Sequence, residues 1–531
     1  MTTNNLIEKG QSFLAYSATL ILSQLQLLRS STDKRQQTAI TAAATIVGTW
    51  TLYRLLFSKR RRQIENIVPL ASGSLPILGH ALAINRDPQK FLAECREKYG
   101  TAFRLNLAGR ETFVLTGRLI PELLFASRKQ FSFTEGVEVV VPTQRVLHLS
   151  YDHKHKEEEI SPRDKHPIVF PVKQNFKPEQ ISVFSERIQK AFLGMLDEKL
   201  ALKPGEKRTL ATWDFLSEAI SRISCLCFAG SRVGTNKDLV LAMASFTQNI
   251  IKAGMLLTIL PDAIADTVVR RMFSVEQQLD LLMELIVPEL EKIASGELPD
   301  DEPTFVSMVL KLPKADGSYR SPRDAAFYFK EIALASIHTT SHFTTFALHE
   351  LACRPQLVAE LREMISKVGP ERTPENVSEI PLLDSFLREV LRHDIDYLGL
   401  HHKALKDVVL STGQVIPEGS LVVAALEDAH VYPMDPPPAG MKPLNEFDPY
   451  RFLNMKEDKW SSTIGNDLIS FGLGGHACPG RYFAVNEIKY VLAELIMRYN
   501  VSTASGKRAK DFPVMGMVKF PPREPLIFEG I

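Results

Sequence analysis

Apolar side chains recur along this chain at two spacings, and the places where the spacing changes mark its elements. Steps of three and four put Leu383, Phe386, Leu387, Val390 and Leu391 on one helical face. They do the same for Ile488, Val491, Leu492, Leu495, Ile496 and Tyr499. The same period predicts a helix over Pro88–Tyr99, with Phe91, Leu92 and Cys95 on one side, and a mostly helical stretch from Pro178 to about Leu312. The longest helix opens at Ser321-Pro-Arg-Asp324, with serine as cap, proline in the first position and an acid in the first turn. It runs to Arg354, where Pro355 stops it; about thirty residues span ~45 Å. Alternation with a period of two appears in Thr101–Leu107 and Thr112–Thr116, two strands joined by a turn at Gly109. Gly413 and Ile416-Pro-Glu-Gly419 are turn signals between short strands, and Phe131 to Ile168 is irregular. The pattern is that of a mainly α chain with small β-sheets.

The first 67 residues stand apart. Thr38 to Phe57 is twenty residues with one charge, Arg54, near its end. As a helix it covers ~30 Å, the hydrocarbon thickness of a bilayer. Lys59, Arg60, Arg61 and Arg62 follow at once, so the positive-inside rule leaves residues 68–531 in the cytoplasm. No small-residue cleavage site follows, which predicts an uncleaved anchor. The earlier run from Phe13 to Leu28 carries Ser17, Ser23, Gln24 and Gln26 and reads as an interfacial amphipathic helix, with a second span as the alternative. From Asn66 the prolines and glycines of I-V-P-L-A-S-G-S-L-P-I-L-G-H break helical order.

Composition narrows the picture in two respects. A net charge of +1, from 63 basic and 62 acidic side chains, leaves no electrostatic footprint for nucleic acid. Five cysteines with no C-x-x-C suggest neither a disulfide framework nor a zinc site. The candidate chemistry lies instead in Phe471-Gly-Leu-Gly-Gly-His-Ala-Cys-Pro-Gly-Arg481. Gly472, Gly474 and Gly475 permit positive φ and a close approach to a flat ligand. Pro479 suits the first turn of the helix that follows, which places Cys478 at a helix N-terminus, where the dipole and the N–H groups of Gly480 and Arg481 favour a thiolate.

This loop resembles the haem-binding loop of the cytochrome P-450 family, in the form found among fungal members. The resemblance runs from about Pro69 to the C-terminus. It implies the P-450 fold, haem held by Cys478 as the metal ligand, and Phe471, Gly472, His476 and Gly480 as cofactor-binding residues. Ala335-Ser-Ile-His-Thr-Thr340, in the middle of the long helix, resembles the family's oxygen-activation signature. Thr339 matches the threonine that helps deliver protons, and His338 stands where the family at large has an acid; as histidine it can still serve a relay, and the alternative is a structural histidine turned into the helix bundle with Thr339 and Thr340 bonding back to the helix. Glu389 and Arg392 resemble the family's E-x-x-R pair, with Arg451 of Phe447-Asp-Pro-Tyr-Arg-Phe452 as third member, a structural set that holds the haem loop. Leu421-Val-Val-Ala-Ala resembles the strand that follows.

The chain also departs from the family. No W-x-x-x-R is present from Pro69 to the C-terminus, and His166 and Lys173 are the nearest stand-ins for binding the haem propionates. His393-Asp-Ile-Asp-Tyr-Leu-Gly-Leu400 lacks the usual proline and carries two acids. His401-His402-Lys403 stands where relatives tend to show His-Arg-Lys, so the arginine's propionate contact falls to His402 or is lost. Trp213 and Ile250–Ile259 are candidates to line the pocket, with plain core as the favoured alternative for each. The implied protein is a haem-thiolate monooxygenase of the endoplasmic reticulum membrane, acting on a lipophilic fungal secondary metabolite such as a terpenoid. It has no nicotinamide fingerprint, so its electrons come from an NADPH-dependent reductase, with cytochrome b5 as a second candidate donor. The alternatives are a peroxide-dependent haem-thiolate isomerase or dehydratase, and a non-catalytic haem- or lipid-binding membrane protein.

Overall fold

The structure is a computed structural model that describes residues 65–531 apart from 76–77, 108, 151–165, 261, 315, 434–439 and 454–459. All but the first of these fall in one compact unit, Asn66–Ile531. The expected span 38–57, its basic flank 59–62 and the run 13–28 lie outside the described residues. Among the described residues no helix is long and apolar enough to cross a membrane.

Helices dominate. The ones that position the site are α1 (Pro88–Tyr99), α2 (Phe133–Val140), α3 (Thr143–Ser150), α4 (Val169–Asn175), α5 (Ser182–Lys199), α6 (Thr212–Ala229) and α7 (Lys237–Ile259). They continue with α8 (Val275–Ser295), α9 (Pro322–Ala352), α10 (Pro355–Lys367), α11 (Pro381–His393) and α12 (Arg481–Arg498). Helix α9 is the axle: it packs against α6, α8, α11 and α12. Its start is a capping box, in which Ser321 Oγ accepts from the Asp324 N–H and Asp324 accepts from the Ser321 N–H. It ends at Ala352, two residues before the expected stop. Arg354 is already the N-cap of α10 and Pro355 its first residue, so this proline opens a helix instead of merely ending one.

The strands are β1 (Ala102–Leu107), β2 (Arg110–Leu115), β3 (Phe131–Ser132), β4 (Lys207–Leu210), β5 (Leu398–Ala404) and β6 (Val408–Val409). After them come β7 (Val415–Ile416), β8 (Leu421–Ala425), β9 (Tyr499–Ser502), β10 (Phe512–Val514), β11 (Val518–Phe520) and β12 (Leu526–Gly530). The main sheet runs β1-β2-β8-β5-β3, with only the β2–β8 pair parallel. Its one irregularity is a register shift between Gly399 and His402, where Leu400 takes φ +50°.

The stretch expected to be irregular from Phe131 opens instead with β3, α2 and α3. Ser132 starts α2, its hydroxyl accepting from the Glu135 N–H. Gly136 then lets the helix press on the main sheet: a Cβ there would lie 2.4 Å from His402 Cα. Helix α12 is seated by Phe483, whose ring meets those of Phe176, Phe184 and Phe228 at centroid distances of 5.4, 5.8 and 5.6 Å. Further along α12, Glu487 is fully buried and neither carboxylate oxygen has a hydrogen-bond partner. Burial holds its carboxyl well above the usual range. A carboxyl raised in the folded state makes folding less favourable as pH climbs above its unfolded pKa. Glu487→Met should therefore stabilise the protein by about 1–3 kcal/mol, more at pH 8 than at pH 5. Thermal unfolding at both pH values checks this, and equal midpoints for the two proteins throughout would contradict it.

Candidate functional site

The loop that carries Cys478 is shaped by backbone. Gly472 and Gly474 take φ of +67° and +63°, whereas Gly475 stays outside the left-handed region. At Gly474 a Cβ would lie 2.8 Å from the Phe125 ring and 3.0 Å from Leu124 O, so the loop lies directly on that segment. The Cys478 N–H donates to Phe471 O at 2.8 Å, which closes the loop. Helix α12 begins at Arg481 with Gly480 as its N-cap, so Pro479 sits in a turn ahead of the helix and outside its first turn. The N–H groups of Gly480 and Arg481 still point at the sulfur. They and the Arg481 charge pull the thiol down, but burial outweighs them and the thiol stands above its ordinary value. Burial pushes Cys225 to about 12, and burial with the Glu94 charge pushes Cys95 to about 11. Of the five cysteines, Cys478 is the one with two helix-start donors.

Across the fold, Ala335 and Thr339 are exposed in the middle of a helix whose other turns are mostly buried. Thr339 Oγ1 donates to Ala335 O at 2.7 Å. His338 is packed between Trp213 and Phe520, with ring centroids 5.4 and 6.3 Å away. Its Nδ1 is enclosed without a partner, and burial pushes the imidazole down to about 4. Trp213 thus lines the same wall as His338, while Ile250, Ala253 and Leu257 of the Ile250–Ile259 run are core.

Glu389 is the centre of a buried charge set. Arg392 Nε and Nη2 donate to its two oxygens at 2.7 and 2.8 Å, Arg451 Nε reaches both at 3.1 Å, and the Asp448 N–H adds a bond of 2.9 Å. The remaining guanidinium N–H groups go to backbone: Arg392 Nη1 to Leu444 O, and Arg451 to the carbonyls of Lys442, Pro443 and Glu446. A residue that the sequence does not flag completes the link. His430 Nδ1 donates to Arg392 O at 2.8 Å, and its Nε2 accepts from the Ile469 N–H at 2.9 Å. Ser470 Oγ donates to Leu391 O at 2.6 Å. Helix α11 therefore holds residues 469 and 470, the entry to the cysteine loop.

The histidines at the other edge fall into two groups. His476 ends the turn Gly474–His476, and its ring lies 6.0 Å from Phe133 and 5.8 Å from His402. His166 stands three residues ahead of α4, its Nδ1 accepting from the N–H groups of Ile168 and Val169 at the start of the helix, and Lys173 is exposed in the last turn of α4.

A sequence model of the cytochrome P-450 family matches residues 69–527, and the chain belongs to that family. Cytochrome P-450 monooxygenase 103 of Postia placenta is 28% identical over 469 residues, covering 83% of this chain and 89% of the relative. Cytochrome P-450 monooxygenase ausG of Emericella nidulans is 30% identical over 298 residues, 53% of this chain and 55% of the relative. A cyanobacterial P-450 solved with retinoic acid bound superposes with a TM-score of 0.65 at 20% identity, covering 88% of this chain and all of that one. The family implies an oxidoreductase with thiolate-ligated haem. The residues fit that group: the sulfur faces two backbone donors, Ala335 and Thr339 open a polar notch in a buried helix, and His402 Nε2 is enclosed with no partner.

Breaking the Glu389 set strands a buried charge. Glu389→Gln should cost about 3–5 kcal/mol and lower the unfolding midpoint in guanidinium accordingly; a loss below about 1 kcal/mol, the scale of a surface ion pair, would show that the set does not hold the loop.

Proposed function

We propose that this chain is a membrane-anchored monooxygenase that inserts oxygen into a lipophilic fungal secondary metabolite, with terpenoids the leading class, fed by an NADPH-dependent reductase on the same membrane. The observation that carries it is Cys478, a buried sulfur ahead of a helix start with the N–H groups of Gly480 and Arg481 aimed at it. Haem, when bound there, supplies the oxidising chemistry, and thiolate donation is the lever that favours O–O cleavage. The chain's own residues hold, orient and protonate. Phe471, Gly472, His476 and Gly480 shape the bed for the ring. Glu389, Arg392 and Arg451 keep that bed at a fixed distance from α11. Thr339 presents its hydroxyl from the opposite wall, where it can leave Ala335 O and pass a proton inward.

The relay expected through His338 gives way to a different role. With its pKa near 4 and its rings of neighbours, this histidine is neutral at working pH and serves as wall between Trp213 and Phe520. Those rings support an apolar substrate. The fungal form of I-H-T-T and H-x-C-P-G-R, together with relatives named as fungal P-450 monooxygenases, supports secondary metabolism. The anchor rests on Thr38–Phe57 and the four basic residues after it, and the endoplasmic reticulum is the membrane proposed. Retention of Thr339 favours oxygen activation over a peroxide isomerase, and the complete cysteine loop favours catalysis over passive haem or lipid binding.

The optical spectrum of the reduced, CO-treated protein tests the reading directly. A strongly red-shifted Soret band is expected, and Cys478→Ser should abolish it; a band that survives the substitution would sink the assignment. Thr339→Ala should keep that band yet lower product formed per NADPH consumed, with turnover down about 10²-fold if the hydroxyl is the proton donor. Equal coupling in the two proteins would remove Thr339 from the proton path.

A further inference from the structure

One acid on the wall of the site has no part in the oxidising chemistry. Glu331, Ala335, His338 and Thr339 are spaced along α9 so that each is three or four residues from another, and they share a face. Ala335 and Thr339 are exposed on that face and the Glu331 side chain is 37% exposed, whereas Lys330, Ile332 and Ala333 beside it are buried. Glu331 lies eight residues before Thr339, which separates the two by about 12 Å along the axis. One face of the helix thus carries a hydroxyl at the reacting end, the neutral ring of His338 among Trp213 and Phe520 beside it, and a carboxylate roughly two turns away.

The groups around that carboxylate decide what it can take. Lys330 Nζ lies 3.3 Å from Glu331 Oε1 and is its ion-pair partner among the described residues. This lysine is buried, with its ammonium 3.7 Å from the centre of the Phe327 ring. Tyr328 and His166 also feel the Glu331 charge. Burial raises the Tyr328 phenol and lowers the His166 imidazole, so neither brings a charge at pH 7. Arg320 donates to Leu312 O, and Asp324 closes the capping box of α9. One ammonium therefore matches the charge of Glu331 through Oε1. Its Oε2 accepts no hydrogen bond among the described residues, and a carboxylate oxygen beside apolar rings is costly without a donor.

We propose that Glu331 selects a substrate that is apolar along its length and ends in a hydroxyl, which donates to Oε2 while the carbon to be oxidised lies near Thr339. The assignment deepens the haem-thiolate reading above and rests on it. Glu331 acts by position alone, and no bond forms or breaks there. A hydrocarbon of the same shape leaves the carboxylate without its donor, the situation in which a polar site discriminates most strongly. An ether or carbonyl end offers only lone pairs and gains nothing. An ammonium end brings a second cation to a carboxylate that Lys330 already matches.

The holoprotein, full-length and in detergent, tests this with N-alkylimidazoles, whose ring nitrogen binds the haem iron and reports occupancy as a red-shifted Soret band. Tails from butyl to tetradecyl, each with a methyl, hydroxyl, methoxy or ammonium end, then probe the distance from the iron to the acceptor. Over one range of lengths the hydroxyl end should bind about 10-fold tighter than the methyl end, and the methoxy and ammonium ends should show no such gain. Glu331→Leu should abolish the difference. Glu331→Gln, which keeps an acceptor without the charge, should reduce it, and it decides the matter should the leucine variant fail to fold. A hydroxyl preference that is missing at every length, that persists undiminished in either variant, or that is exceeded by the ammonium end overturns the proposal. The CO spectrum separates the two levels: a thiolate-type band without the hydroxyl preference defeats only the Glu331 assignment, whereas no such band in wild type defeats the reading beneath it.

Discussion

One buried carboxylate sets the geometry of the site. Glu389 accepts from two guanidinium groups and one backbone N–H, all out of water. Desolvating three charges is expensive, and an apolar cluster of the same size would give comparable stability. What an apolar cluster would not give is direction. Both arginines also donate to carbonyls of 442–446, so the irregular chain between β8 and the cysteine loop is measured against a single point on α11. His430 and Ser470 carry the same reference to residues 469 and 470, at the edge of the loop itself. The loop's own hydrogen bonds and positive-φ glycines then need to define only seven or eight residues.

Much of this was legible in the chain before any coordinates. The helices came from their periodicity, and the start of α9 from its cap, because both are local signals that neighbours reinforce. The β1–β2 hairpin came from alternation around Gly109. The chemistry was legible because glycine, proline and cysteine at fixed offsets leave few backbone solutions. What escaped has a common cause. Helix α2 is short, and its identity depends on Gly136 meeting the backbone of His402, 266 residues away in sequence. His430 joins α11 to the loop through two backbone groups that no side-chain pattern announces. Pro479 lies in the turn before α12 and not in its first turn, since a proline suits both. Helix α9 ends two residues before Arg354 for a similar reason, since Pro355 suits a start as well as a stop.

The role of His338 shows a second limit. Its residue type suggests proton chemistry, but type alone does not report burial. The structure surrounds it with Trp213, His342 and Phe520, and His342 is itself pushed down to about 3. His401 and His349 are held near 4 by the same desolvation. At these four positions burial makes a neutral, flat, space-filling ring the default.

That default sharpens what remains. If the wall of α9 near its centre is made of neutral rings and small residues, the Thr339 hydroxyl is the polar group it exposes there, and it is already satisfied by Ala335 O. A donor that is occupied at rest contributes only when something stronger draws it away, which is the condition for a proton to move at the reacting centre and not before. If Thr339 is the proton donor proposed above, the apolar rings beside it keep bulk water from competing for that role. Charge is found instead behind the loop, in the Glu389 set, and at the basic edge around His402.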